Sequence, residues 1–174
     1  AHEVKGCFEK IRSLVFTESV CSCLFFSLPG GGKTTLLRDL VRQLSCGEEI
    51  PPQRITLVDE RGEVAVMYRG QPQMDVGPRT DVLDGCPKAL GIPMLLRSAN
   101  PQVIAVDEIT AEADARALLR AANCGVRLLA TAHGTSAADL RRRSVYRPLA
   151  ESGVFQTLLI LRQDKSFRTE RTTL

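Results

Sequence analysis

The sequence contains no tryptophan, two tyrosines and six phenylalanines in 174 residues. With so few rings to stack bases, and a formal net charge of only +3 from 23 basic and 20 acidic side chains, no nucleic-acid partner is expected. No apolar run approaches the roughly 18 residues that a membrane-crossing helix requires. The first residues also lack the basic start and cleavage site of a secretory signal. The six cysteines (Cys7, Cys21, Cys23, Cys46, Cys86 and Cys124) form no CxxC pair. That removes the usual zinc and redox signatures and fits reduced thiols in a cytosolic protein. The chain starts at Ala1 without a methionine, so a preceding segment is expected.

What is present is enough apolar content, 44%, for one domain with a buried core. Residues 1–19 read as a lead-in in which Phe8, Ile11, Leu14 and Val15 fall at helical spacing. Residues 20–174 read as a single domain. Short apolar runs at 23–26, 55–58, 103–106 and 126–132 suit buried strands. Between them, helical patterns cover 33–44, 87–98, 111–123 and 136–143. Residues 62–85, rich in Gly, Pro, Gln and Asp, read as a long functional loop. Runs at 154–161 and 166–173 predict an antiparallel pair turning at Gln163-Asp164-Lys165. The expectation is an α/β fold, a mostly parallel sheet with helices on both faces and a C-terminal antiparallel hairpin.

Ser27-Leu28-Pro29-Gly30-Gly31-Gly32-Lys33-Thr34 follows the phosphate-loop pattern G-x-x-x-x-G-K-[ST] except at the first position, where serine replaces glycine. Glycines let backbone N–H groups turn inward around phosphate, and the helix that starts there adds the positive end of its dipole. Lys33 then reaches the terminal phosphates of ATP, and the Thr34 hydroxyl ligates Mg2+. Pro29, Gly30, Gly31, Gly32, Lys33, Thr34 and Thr35 are the expected nucleotide-binding residues.

The third apolar run ends in Asp107-Glu108. Asp107, expected on a strand neighbouring that of the phosphate loop, is suited to hold the metal, and Glu108 to orient or deprotonate water. Thr131 and His133 sense the terminal phosphate if their strand lies beside the phosphate loop. Asp59-Glu60-Arg61 ends another strand at the same sheet edge, making Glu60 a second candidate for positioning water. Arg61, Arg69, Arg79 and Arg97 are candidates to neutralise transition-state charge. Arg141-Arg142-Arg143 with Arg147 reads as a solvated helix face.

Together the segments at 3–6 (EVKG), 29–44 (PGGGKTTLLRDLVRQL), 58–63 (VDERGE), 75–87 (DVGPRTDVLDGCP), 103–109 (VIAVDEI) and 130–134 (ATAHG) resemble the ATPase domain of the stage III sporulation protein AA family. That family is related to the type II and type IV secretion ATPases of the RecA-like P-loop class. The resemblance implies a Mg2+-dependent ATPase on the cytoplasmic side of a membrane. It further implies a hexameric ring of copies of itself, including a domain that precedes this one in the family, with membrane-embedded channel proteins as partners. Asp59 and Glu60 then resemble the acidic box of the secretion ATPases, and His133 their histidine box. Gly31 departs from the pattern, where cysteine or serine is expected. A P-loop small-molecule kinase and a non-catalytic nucleotide switch are the alternatives, although paired acids suit activation of water better than transfer to a metabolite.

Overall fold

The computed structural model describes residues 9, 11–47, 50–162, 164 and 166–171. Cys7 and Phe8, and Gln163 and Lys165 of the expected turn, lie outside the described residues. The chain opens with α1 (Arg12–Val15), β1 (Cys23–Ser27), α2 (Lys33–Cys46) and β2 (Ile55–Asp59). A small antiparallel pair follows, β3 (Met67–Tyr68) and β4 (Gln71–Pro72), then β5 (Thr80–Asp84), α3 (Lys88–Ser98) and β6 (Val103–Val106). The remainder is α4 (Glu112–Asn123), β7 (Arg127–His133), α5 (Ala137–Arg142), α6 (Arg147–Glu151), β8 (Thr157–Leu161) and β9 (Phe167–Arg171).

The main sheet runs β5-β2-β6-β7-β1-β8-β9. Every pairing is parallel except β8 with β9, which is antiparallel. The two-residue period of the strands sorts their side chains into two cores. Cys23, Phe25, Leu57, Ala105, Leu129 and Leu159 face α1 and α2, with Ile11 and Val15 packed among them. Leu24, Phe26, Val58, Ile104, Leu128 and Ile160 face the other way, onto α3, α4, α5 and α6. This is the RecA-like α/β arrangement, a mostly parallel sheet covered by helices on both faces and closed by an antiparallel hairpin.

Three expectations are corrected. The long loop at 62–85 contains an edge strand, β5, paired parallel to β2 from Ile55↔Thr80 to Asp59↔Asp84. Its sequence, TDVLD, is too polar and too exposed to give a strand signal, because an edge position buries little of each face. The short helix α6 was not foreseen; it has Pro148 in its first turn and buries Leu149 in the second core. Finally, Asp107 does not follow a strand adjacent to β1, because β7 lies between β6 and β1.

Candidate functional site

The parallel strands deliver the ends of β1, β2, β6 and β7 to one edge of the sheet, where open α/β folds place their ligands. The register pairs Ser27 at the end of β1 with His133 at the end of β7, meeting the condition set for His133. Between β1 and α2 the chain turns through Gly30 and Gly32, at φ +77° and +88°, a left-handed backbone that side chains disfavour. Gly31 is needed for a different reason. A Cβ there would lie 2.2 Å from Ser27 Oγ and 2.7 Å from Ser27 Cβ. Thus the serine at 27 that departs from the phosphate-loop pattern and the glycine at 31 that departs from the family resemblance fit one another: the Ser27 side chain occupies the space that a larger residue at 31 would fill.

Lys33 opens α2 and is buried, with Nζ 3.3 Å from both Ser27 O and Ser27 Oγ and 3.1 Å from His133 Nδ1. Burial pushes its pKa down, against the opposing pull of Glu108 and Asp107. An ammonium has only donors, so with Lys33 charged Nδ1 accepts from it in the tautomer that carries its proton on Nε2. That nitrogen lies 3.0 Å from Glu108 Oε1. Arg61 holds the other oxygen, Oε2, through Nη1 at 3.1 Å.

The Thr34 hydroxyl lies 3.4 Å from Asp107 Oδ2, bringing the phosphate-loop helix and the end of β6 together. Thr131, fully buried on β7, fixes the carboxylate between them. It donates to Asp107 Oδ1 at 2.8 Å and accepts the Glu108 amide at 2.8 Å. Tyr146 reaches in from the second core to donate to Ile109 O at 3.0 Å, anchoring the turn after Glu108. Its sequence context gave no signal, since the contact spans 37 residues.

The hard oxygens of Thr34 and Asp107 fit Mg2+, which takes few protein ligands and fills its shell with water and phosphate oxygens. Among the described residues no group of three or more His, Cys, Asp or Glu is placed to hold a metal ion.

Glu60 is drawn elsewhere. Lys88 Nζ, on an almost fully buried side chain at the start of α3, lies 2.6 Å from Glu60 Oε2. That hydrogen bond holds the Glu60 carboxyl below the usual carboxylate range. Asp59 is completely buried and accepts the amides of Glu63, Val64 and Ala65 at 2.8–3.3 Å. From α2, Arg38 grips the same turn through the carbonyls of Glu63 and Val64. Asp59 and Arg38 therefore brace the turn at 60–65 against the phosphate-loop helix, while Glu60 ties it to α3. Pro29 and Gly30 are exposed at the mouth of the loop, with Gly32, Thr34 and Thr35 half-buried beside it.

Comparison with known proteins gives the family and the fold. The family described as "Sporulation stage III, protein AA" matches residues 1–171. A Bacillus subtilis (strain 168) protein named stage III sporulation protein AA is 42% identical over 166 residues, 95% of this chain and 54% of that protein. The chain thus spans about half the length of that curated relative. Among solved structures, the Legionella pneumophila ATPase DotB superposes with a TM-score of 0.63 at 18% identity, covering 94% of this chain and 47% of DotB. The VirB11 ATPase of the Brucella suis type IV secretion system, solved with sulphate, superposes with a TM-score of 0.60 at 17% identity, covering 94% and 49%. At such identities these two establish a shared fold.

Proposed function

The chain belongs to the sporulation stage III protein AA family, and from that premise we propose that it is the Mg2+-dependent ATPase domain of a ring motor serving a sporulation channel. The observation that carries the proposal is the convergence of Lys33, Thr34, Asp107, Glu108 and His133 at one sheet edge. Two solved proteins sharing the fold are named ATPases.

In this reading the backbone N–H groups of 30–35 and the Lys33 ammonium bind the ATP phosphates at the turn that Pro29 opens, while Thr34 and Asp107 would hold Mg2+. The metal, when bound, neutralises charge that develops on the phosphate oxygens. Glu108 orients water for attack on the terminal phosphate, and His133 places Glu108 through its Nε2 proton. Lys33 exchanges its contacts with Ser27, Leu28 and His133 for phosphate oxygens. Those contacts lie at 3.1–3.5 Å, long for charge-assisted hydrogen bonds and easily displaced.

The wider role extends the same proposal: a hexameric ring assembled with further domains of the whole protein, at the cytoplasmic face of a membrane and coupled to channel proteins embedded in it. Among the described residues no helix is long and apolar enough to cross a membrane. Both Glu108 oxygens are engaged within this chain, which favours turnover that rises on assembly over a constantly active monomer.

The test is phosphate release from ATP by the full-length protein with and without Mg2+, compared with Lys33→Ala and Glu108→Gln. Metal-dependent release abolished by both substitutions is the expected result. Equal rates in all three proteins would remove the assignment.

A further inference from the structure

At the opposite end of the sheet from the phosphate loop lies a cavity of about 630 Å3 whose lining includes Arg54, Arg97 and Arg127 and no carboxylate. Arg54 immediately precedes β2, Arg127 opens β7, and Arg97 stands in the last turn of α3. The rim is fixed by backbone bonding across three strand starts. Gln102 N donates to Arg54 O at 2.9 Å and Arg127 N to Gln102 O at 3.0 Å, while Arg54 N donates to Gln102 Oε1 at 3.0 Å. Arg54 Nε is used on Asn100 O at 3.1 Å. Among the described residues, none of the three guanidinium groups has a carboxylate partner.

A simpler account is that the arginines offset the carboxyl ends of α3 and α4, which finish beside the cavity at Ser98 and Asn123. The magnitudes decide against it as a full explanation. Each helix end carries roughly half a negative charge, so two of them offset about one of the three arginines and leave a surplus of about +2. The backbones of Arg54 and Arg127 are separated by the intervening strand β6, two strand steps or roughly 10 Å. That spacing is met by side chains along one extended segment. Leu96 and Val126 supply apolar wall between the charges.

We propose that this cavity is a docking site for an acidic peptide segment of a partner protein, one with at least two carboxylates that reach Arg54, Arg97 and Arg127. It is separate from the phosphate loop, and its existence does not depend on ATP turnover.

The proposal is tested with full-length protein and a fluorescein-labelled hexaglutamate peptide, followed by anisotropy at low and physiological salt. Arg97→Glu and Arg127→Glu are compared with Arg142→Glu, an equal charge reversal on exposed α5. Saturable binding is expected to weaken about tenfold or more in each of the first two, the scale of a charge-assisted contact turned repulsive, and less than about twofold in the third. Inorganic tripolyphosphate at equal charge is expected not to displace the peptide. Absence of saturable binding, equal weakening by Arg142→Glu, or displacement by tripolyphosphate as effective as by unlabelled hexaglutamate would each overturn it. Circular dichroism of each variant separates lost binding from lost folding. If Arg97→Glu or Arg127→Glu fails to fold, Arg54→Gln replaces it, with the same loss expected and retained binding counting against the site.

Discussion

Lys33 Nζ lies 3.1 Å from His133 Nδ1, joining the cation of the phosphate loop to the end of β7 and, through the far side of the imidazole, to Glu108 at 3.0 Å. If Glu108 orients water, His133 acts on that carboxylate and contributes little to holding phosphate. His133→Ala is therefore expected to lower phosphate release by about 10²-fold, the scale of a lost acid–base or orienting group. Affinity for a fluorescent, non-hydrolysable ATP analogue should change by less than about threefold, since Lys33 keeps its charge. Loss of binding and turnover in parallel would make His133 a structural support of the loop instead.

Ser27 and Gly31 form a second coupled pair. The Cβ of any residue at 31 would meet Ser27 Oγ at 2.2 Å, and the backbone at 31 is not left-handed, so space alone forbids a side chain. Gly31→Ala is expected to cost about 1–3 kcal/mol, the range for overpacking a filled site. Adding Ser27→Gly should recover about 1 kcal/mol or more of that loss. Urea unfolding of the two single variants and the double variant measures the coupling. Strict additivity would show that the loop relaxes without help from position 27.

Thr131 is the buried hinge of the acidic edge. Its hydroxyl both orients Asp107 and accepts the Glu108 amide. Thr131→Val keeps the shape and removes both bonds, leaving the part-buried Glu108 amide with Asp107 Oδ1 at 3.0 Å as its acceptor, at a cost of about 1–2 kcal/mol for the two lost bonds. The Mg2+ concentration giving half-maximal turnover is expected to rise, because Asp107 loses the bond that aims it. If stability falls while the Mg2+ requirement stays fixed, the hydroxyl serves folding alone.

Most of the sheet was legible because central strands such as VIAV at 103–106 are buried on both faces and read as unbroken apolar runs. The helix that follows the phosphate loop was equally clear, from the spacing of Leu36, Leu37, Leu40, Val41 and Leu44. Edge strand β5 was hidden because its pairing with β2 is a tertiary event with no apolar pattern behind it. At the site, residue types and their spacing pointed to Lys33, Thr34, Asp107, Glu108 and His133, which the fold brings together at one sheet edge. Pairings that depend on strand order were not encoded locally: Arg61 with Glu108 across 47 positions, and Lys88 with Glu60 across 28. The second is the reason Glu60, plausible by sequence, faces a lysine.

That pair makes a pH-dependent prediction. Lys88 holds the Glu60 carboxyl below its ordinary range by hydrogen bonding. A carboxylate depressed in the folded state adds stability that is fully present above the unfolded value, about 4.3 for glutamate, and is lost as pH falls through the lower folded value. Glu60→Gln leaves the Lys88 ammonium, at 3% side-chain exposure, without a counter-charge. Because Glu60 itself is 37% exposed, solvent screening reduces the cost from that of a fully buried pair to about 1–2 kcal/mol. The difference in urea midpoint between wild type and Glu60→Gln should therefore be largest at pH 5 and above and shrink through the acid range below about pH 4. A difference that stays constant from pH 7 to pH 3 would show that shape, and not charge, is what Glu60 gives to Lys88.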